Sequence, residues 1–166
     1  MSILPVVKYP QPILQERSLE VTEITDELKA FIEDMIETMY VTEGVGLAAV
    51  QVGELKRIFV VDPTFAGGTE GDPAFVFINP EIIETQGEVK EEEGCLSFPG
   101  VFITIKRFAK TTIKAMDLNG NEFTMVGEGI LSRAFQHEID HLNGQLIIDH
   151  VGGLKRKLAL RRLRED

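Results

Sequence analysis

The stretch QHEIDHLNG, residues 136 to 144, holds two of the chain's three histidines. It contains H-E-x-x-H. On a helix His137 and His141 fall one turn apart on one face, so both imidazoles can reach one metal ion. Glu138 projects beside them, placed to take a proton from a water on that ion without being a ligand. The plainer alternative is a surface pair or two core histidines. The third histidine, His150, lies beyond Gly144, which is placed to end the helix, and reads as structural or solvated.

A hydrolytic metal site needs a third protein ligand and one open position. Some zinc proteases place a third histidine ten residues after the first, but here that residue is Ile147. Others use a glutamate roughly twenty residues on; this region is a basic tail whose only glutamate is Glu165. That leaves Cys95, the only cysteine, inside EEEGCLSFPG at residues 91 to 100. A thiolate is a soft ligand that a metal ion deprotonates outright. Cys95, His137 and His141 would make three ligands. Two other readings stand beside this one: a small buried hydrophobe, or a nucleophile paired with a histidine. A third stretch, GVGLAAVQVG at residues 44 to 53, is glycine-rich and uncharged. Its glycines permit close approach of a backbone or ligand, and Gln51 is its single hydrogen-bonding side chain. It equally suits a tight buried turn.

These residues need elements to hold them. Leu28, Phe31, Ile32, Met35, Ile36 and Met39 recur at helical spacing and predict an amphipathic helix, with Thr25 as N-cap and Asp26 and Glu27 in its first turn. The preceding VVKYPQPILQERSLEVTEI, with two prolines, reads as extended chain. Strand candidates follow at 57–61, 74–78, 82–88, 101–105 and 111–116. Asn119-Gly120 then marks a turn into a strand at 122–126. A second helix is expected from about Glu128 to Leu142, and a third after Leu154. Strands in a block with helices apart predict an α+β fold.

The chain has 166 residues and a net charge of −10. One domain of that size buries roughly 70% of its unfolded surface and needs no disulfide. No apolar run approaches the ~18 to 20 residues of a membrane span, and no signal peptide is evident. An acidic body disfavours direct DNA binding. A single cytoplasmic domain over residues 1–166 is therefore expected. Its last twelve residues, 155–166, carry six basic and two acidic side chains, so the remainder stands at −14.

Taken together, three ordered segments resemble the peptide deformylase family: Gly44-Val45-Gly46-Leu47-Ala48-Ala49-Val50-Gln51, Glu93-Gly94-Cys95-Leu96-Ser97 and Gln136-His137-Glu138-Ile139-Asp140-His141. The YPQPILQERS opening is similar too, and the resemblance spans essentially the whole chain. It implies sheets packed around a central metal-binding helix, with an N-terminal and a C-terminal helix. It implies Cys95, His137 and His141 as metal ligands and Glu138 as acid/base. The Gln51 amide and the Leu96 N–H would hold the oxyanion, and a bound peptide would pair as a strand with Val45, Gly46 and Gly94. The implied substrates are N-formylmethionyl nascent chains, which lose formate. One divalent ion is implied, Fe(II) natively, with Zn(II), Ni(II) or Co(II) able to substitute.

Helix positions 130, 133, 134 and 137 share the ligand face, so Ile130, the stem of Arg133 and Ala134 are expected to line an apolar slot suited to methionine. Phe102 fits either the rim of this slot or a strand core. The basic tail suits a ribosome contact, or a solvated helix end. The competing activities are another metal amidase or metallopeptidase on the same ligands, a metal-binding protein without turnover, and a thiol enzyme using Cys95.

Overall fold

The computed structural model describes residues 2–164, the side chain of Ala66 excepted. Among these residues seven strands and three α-helices follow in order: α1 (Asp26–Val41), β1 (Gly46–Ala48), β2 (Ile58–Val61), β3 (Phe75–Gln86), β4 (Val89–Cys95), β5 (Phe98–Arg107), β6 (Lys110–Met116), β7 (Glu122–Glu128), α2 (Ile130–Leu142) and α3 (Gly153–Leu160). Strands β1-β2-β3-β6-β7 form one antiparallel sheet in that order, and β4 and β5 form a separate hairpin. The fold is α+β, as expected.

Both faces of the larger sheet are covered. From α1, Leu28, Ile32, Met35 and Met39 pack on Leu47, Ile58, Val60 and Ile78. On the opposite face Leu131, Phe135, Ile139 and Leu142 of α2 pack on Phe59, Val61, Phe77 and Ile113. Successive β2 residues point to opposite faces, and all four are buried, which is why IFVV is apolar throughout. A third cluster joins β5 to Leu146, Ile147, Ile148 and Ala159. Thr25 caps α1 as predicted, its Oγ1 accepting the Leu28 N–H at 3.1 Å. Gly144 is left-handed (φ +74), and a Cβ there would stand 2.6 Å from the Gln15 carbonyl oxygen.

Three expectations change. The strands at 74–78 and 82–88 are one strand, β3. The register shifts at Asn79-Pro80, and the bulge accommodates the proline. Asn79 adopts φ +52, and its side chain pairs with both backbone groups of Val21 at 2.8 Å. Residues 89–95 form β4, although three consecutive glutamates are poor strand formers. The helix expected from Glu128 begins at Ile130, because Gly129 takes a left-handed φ of +58.

Candidate metal centre and active-site cleft

Cys95 ends β4, while His137 and His141 share one face of α2. In space, Cys95 Sγ lies 3.3 Å from His141 Nε2, which lies 3.2 Å from His137 Nε2. The three donor atoms are all within 4.8 Å of one another, the one such cluster among the described residues. A tetrahedral ion with bonds of about 2.0–2.3 Å has ligand–ligand edges of about 3.3–3.6 Å. Two edges of the donor triangle are close to that span and the third lies within 4.8 Å, so the cluster could hold a single divalent ion.

The charges are arranged for a cation. Enclosure raises the Cys95 thiol, but His141 and His137 outweigh it and bring it down to about 5. Burial disfavours a charged His137, yet its contacts with Cys95 and Glu93 hold it well above its ordinary value. A thiolate next to an imidazole drawn toward positive charge, that of His137, marks a pocket that attracts positive charge, which a metal ion would supply in place of protons. Burial raises the Glu138 carboxyl against the pull of His137 and His141. Its Oε1 is buried with no hydrogen-bond partner among the described residues. A Cβ on Gly46 would stand 2.9 Å from its Oε2, so that glycine leaves room for the carboxylate.

Behind the donors runs a chain of polar groups, among which the sequence reading did not single out Arg107. Glu93 Oε1 accepts from His137 Nδ1 at 3.1 Å, which points Nε2 inward. Both Glu93 oxygens accept from Arg107, at 2.9 Å each, and Arg107 also donates to Asp140 at 2.7 Å. Asp140 ends the chain on His150 Nε2 at 2.9 Å, so His150 is structural. Burial opposes ionisation of Glu93, but His137 and Arg107 hold its carboxyl at about 2. One signal existed: Val101, Ile103 and Ile105 alternate inward along β5, and Arg107 continues that parity. A charge on a buried face calls for a partner.

Gln136 anchors α2 to the corner between β5 and β6. It donates to Phe108 O at 2.9 Å and accepts from Phe108 N at 2.9 Å. At the C-terminal end of α2, Arg57 donates to the Leu142 carbonyl at 2.9 Å, satisfying a group the helix end leaves open, and to Asn143 Oδ1 at 2.9 Å.

A cleft of about 610 Å³ opens in front of the donors. The anticipated residues all line it: Val45, Gly46 and Gln51; Gly94 and Leu96; Ile130, Arg133 and Ala134. Gln51 is buried, and its Oε1 accepts the Ala48 N–H at 3.0 Å. That turns Nε2 toward Ser97 Oγ (3.2 Å) and Cys95 Sγ (3.6 Å). Phe102 is 54% exposed, so it is a rim residue and not a core one. Its ring covers Gly94, where a Cβ would stand 2.8 Å away. Two strand edges face the cleft, since β1 and β4 are each the last strand of their sheet. The Asp62 N–H donates to the Val45 carbonyl at 2.9 Å. Gly46 and Val61 are thus a non-hydrogen-bonded pair, and Gly46's own N–H and C=O point off the open edge.

Fold and site together define a class: a small α+β protein with a Cys/His/His cluster that could hold a metal ion, a buried glutamate beside it, and an open cleft in front of it. A family model for polypeptide deformylase matches residues 3–157. A peptide deformylase of Acidobacterium capsulatum is 50% identical over 99% of this chain and 96% of its own length. A crystal structure of a peptide deformylase from Legionella pneumophila matches with a TM-score of 0.92 at 40% identity, covering 97% of this chain and 93% of that one. One from Ehrlichia chaffeensis, solved in complex with actinonin, matches with a TM-score of 0.88 at 40% identity, covering 97% and 95%. The chain belongs to the polypeptide deformylase family.

Proposed function

We infer that this chain hydrolyses the N-formyl amide of formylmethionyl polypeptides, releasing formate and a free N-terminus, with one metal ion held by Cys95, His137 and His141. The observation that carries the ligand assignment is the meeting of one sulfur and two Nε2 atoms within 4.8 Å, next to a buried carboxylate without a hydrogen-bond partner. A divalent ion there supplies Lewis acidity and lowers the pKa of a water toward ~7. Fe(II) is the proposed native ion, with Zn(II), Ni(II) or Co(II) able to take its place.

The chain's own groups do the rest. The peptide enters as a strand between β1 and β4, pairing with Gly46 and Gly94 beside Val45. Its methionine side chain fills the slot of Ile130, Ala134 and the Arg133 stem. Glu138 takes a proton from the attacking water and returns it to the departing nitrogen, a task suited to a carboxyl raised by burial. Gln51 Nε2 and the Leu96 N–H donate to the oxyanion, each worth about 2.7–4 kcal/mol. Gln51 arrives already oriented by Ala48 and Ser97, so little reorganisation is left to the reaction.

The whole chain acts as one catalytic unit in the cytoplasm, where nascent formylated chains are made. No helix among the described residues is long and apolar enough to cross a membrane. Lys155, Lys157, Arg161 and Arg162 are exposed, and they supply a weak ribosome contact through phosphate; residues 165 and 166 of that tail lie outside the described residues. The test is formate release from a formyl-Met peptide by anaerobically purified protein. Release should vanish with a strong chelator and return with Fe(II). Chelator-resistant release would make Cys95 a nucleophile instead.

A further inference from the structure

The C-terminal segment reaches the active site. After α3 the chain returns over the start of β5, and the Arg164 N–H donates to the Pro99 carbonyl at 2.9 Å. Gly100 (φ +83) leaves the space: a Cβ there would stand 2.6 Å from the Arg162 carbonyl oxygen, and 3.0 and 3.1 Å from Arg164 Cγ and Nε. The Arg164 side chain thus lies across Gly100, and it lines the same cleft as Phe102 and the metal donors.

We propose that Arg164 is a specificity-determining residue of the cleft, favouring formylmethionyl peptides with an acidic side chain at one of the two residues after methionine. The inference rests on the deformylase reading. Cys95 pairs with Phe98 across the β4–β5 hairpin, and Gly100 is two residues further along β5. At about 3.3 Å per residue this is roughly 7 Å, the distance a substrate strand covers in two residues beyond the reacting amide. A guanidinium at a cleft mouth presents a fork of donors that matches a carboxylate. Arg133 is the other cation of the cleft, placed beside the methionine slot. Glu43 and Glu92 line the cleft as well. Without Arg164 those two acids dominate the mouth, and preference shifts toward basic residues.

The experiment compares metal-loaded wild type with Arg164→Lys, Arg164→Ala and Arg164→Glu on formyl-Met-Ala-Glu, formyl-Met-Glu-Ala, formyl-Met-Ala-Lys, formyl-Met-Lys-Ala and formyl-Met-Ala-Ser. For at least one of the two positions, the acidic-to-basic ratio of kcat/KM should fall about two- to five-fold in Arg164→Ala and about three- to ten-fold in Arg164→Glu. The change should sit in KM, Arg164→Lys should keep part of the preference, and kcat on the serine peptide should stay within about two-fold. Unchanged ratios at both positions in Arg164→Glu would overturn the proposal. So would an equal loss on all five peptides, which would mean that the segment only braces β5. Failure of wild type to deformylate the serine peptide would instead refute the deformylase reading. Calorimetric affinities of the matching unformylated peptides then decide: a shifted acidic-to-basic ratio in Arg164→Glu supports the role of Arg164, and an unshifted one ends it.

Discussion

α1 and α2 cover opposite faces of one sheet, yet they are held in different ways. α1 is attached by an apolar stripe whose four central residues are 0–6% exposed. Its polar side chains face outward, apart from Thr38 and one buried carboxylate oxygen of Glu37. α2 has an apolar face too, but it also buries Ser132, Gln136, Glu138 and His141. The middle and the C-terminal end of α2 are tied to other parts of the chain by side-chain hydrogen bonds, and Asp140 joins it to Arg107. Apolar contact is non-directional: it attaches a helix while leaving fine adjustment open. Hydrogen bonds and ion pairs fix angles as well as distances. A metal centre needs its ligands held to within about 0.5 Å, so the helix that carries two of the proposed ligands is the one more heavily restrained by polar contacts.

Glu138→Ala separates chemistry from architecture most sharply. It should lower kcat by about 10²- to 10⁴-fold. Metal content should stay at one ion per chain, because Glu138 is not one of the three clustered donors. Loss of the ion, measured by elemental analysis, would make Glu138 a ligand.

Arg107→Met attacks the polar restraint. It leaves Glu93 and Asp140 without their cation, and breaking such a buried pair costs about 3–5 kcal/mol. His137 loses its anchored partner as well, so metal affinity should fall about 10- to 100-fold in a chelator competition. Ile32→Ala attacks the apolar restraint. It should cost about 2–5 kcal/mol in urea unfolding, with metal affinity unchanged. Equal effects of the two variants on metal affinity would erase the contrast between the helices.

Acid gives a gentler probe of the same contrast. His137 and Arg107 depress Glu93 against its burial, from an ordinary 4.5 to about 2. A depressed carboxyl stabilises the folded state fully above its unfolded value and loses that contribution as pH falls through its folded one. Stability tied to Glu93 should therefore drain away between about pH 4.5 and 2. Urea midpoints of Glu93→Gln should show a flatter slope across that window than wild type. The smallest effect belongs to the α1 cap: Thr25→Ala should cost about 1 kcal/mol and leave turnover unchanged.

The two helices also differ in how plainly their residues announce them. α1 was legible because a 3.6-residue apolar period and a capping threonine are local signals. The donors His137 and His141 were legible for the same reason, since spacing of four on a helix puts them on one face. Cys95 and Gln51 entered as candidates by type, and the ordered motifs joined them to the histidines. β4 was illegible because its glutamates argue against a strand until Arg107 is known to lie across from Glu93. The strand candidates at 74–78 and 82–88 were not legible as one strand because a bulge that carries a chain past a proline is set by pairing with β6. Arg164 read as part of a solvated or ribosome-bound tail because nothing local directs it back to Pro99.

Residue order alone settles which side chains can do chemistry, the α+β class, the apolar stripe of α1 and the shared face of the two histidines. These depend on neighbours a few positions apart. Only the packed chain decides that Glu93, Arg107, Asp140 and His150 join into one line behind His137, that Glu138 keeps a buried carboxylate beside Gly46, and that the tail closes on Gly100. A buried charge is tolerable only opposite its partner. For Arg107 and Asp140, 33 residues apart, that partner is chosen by the tertiary fold.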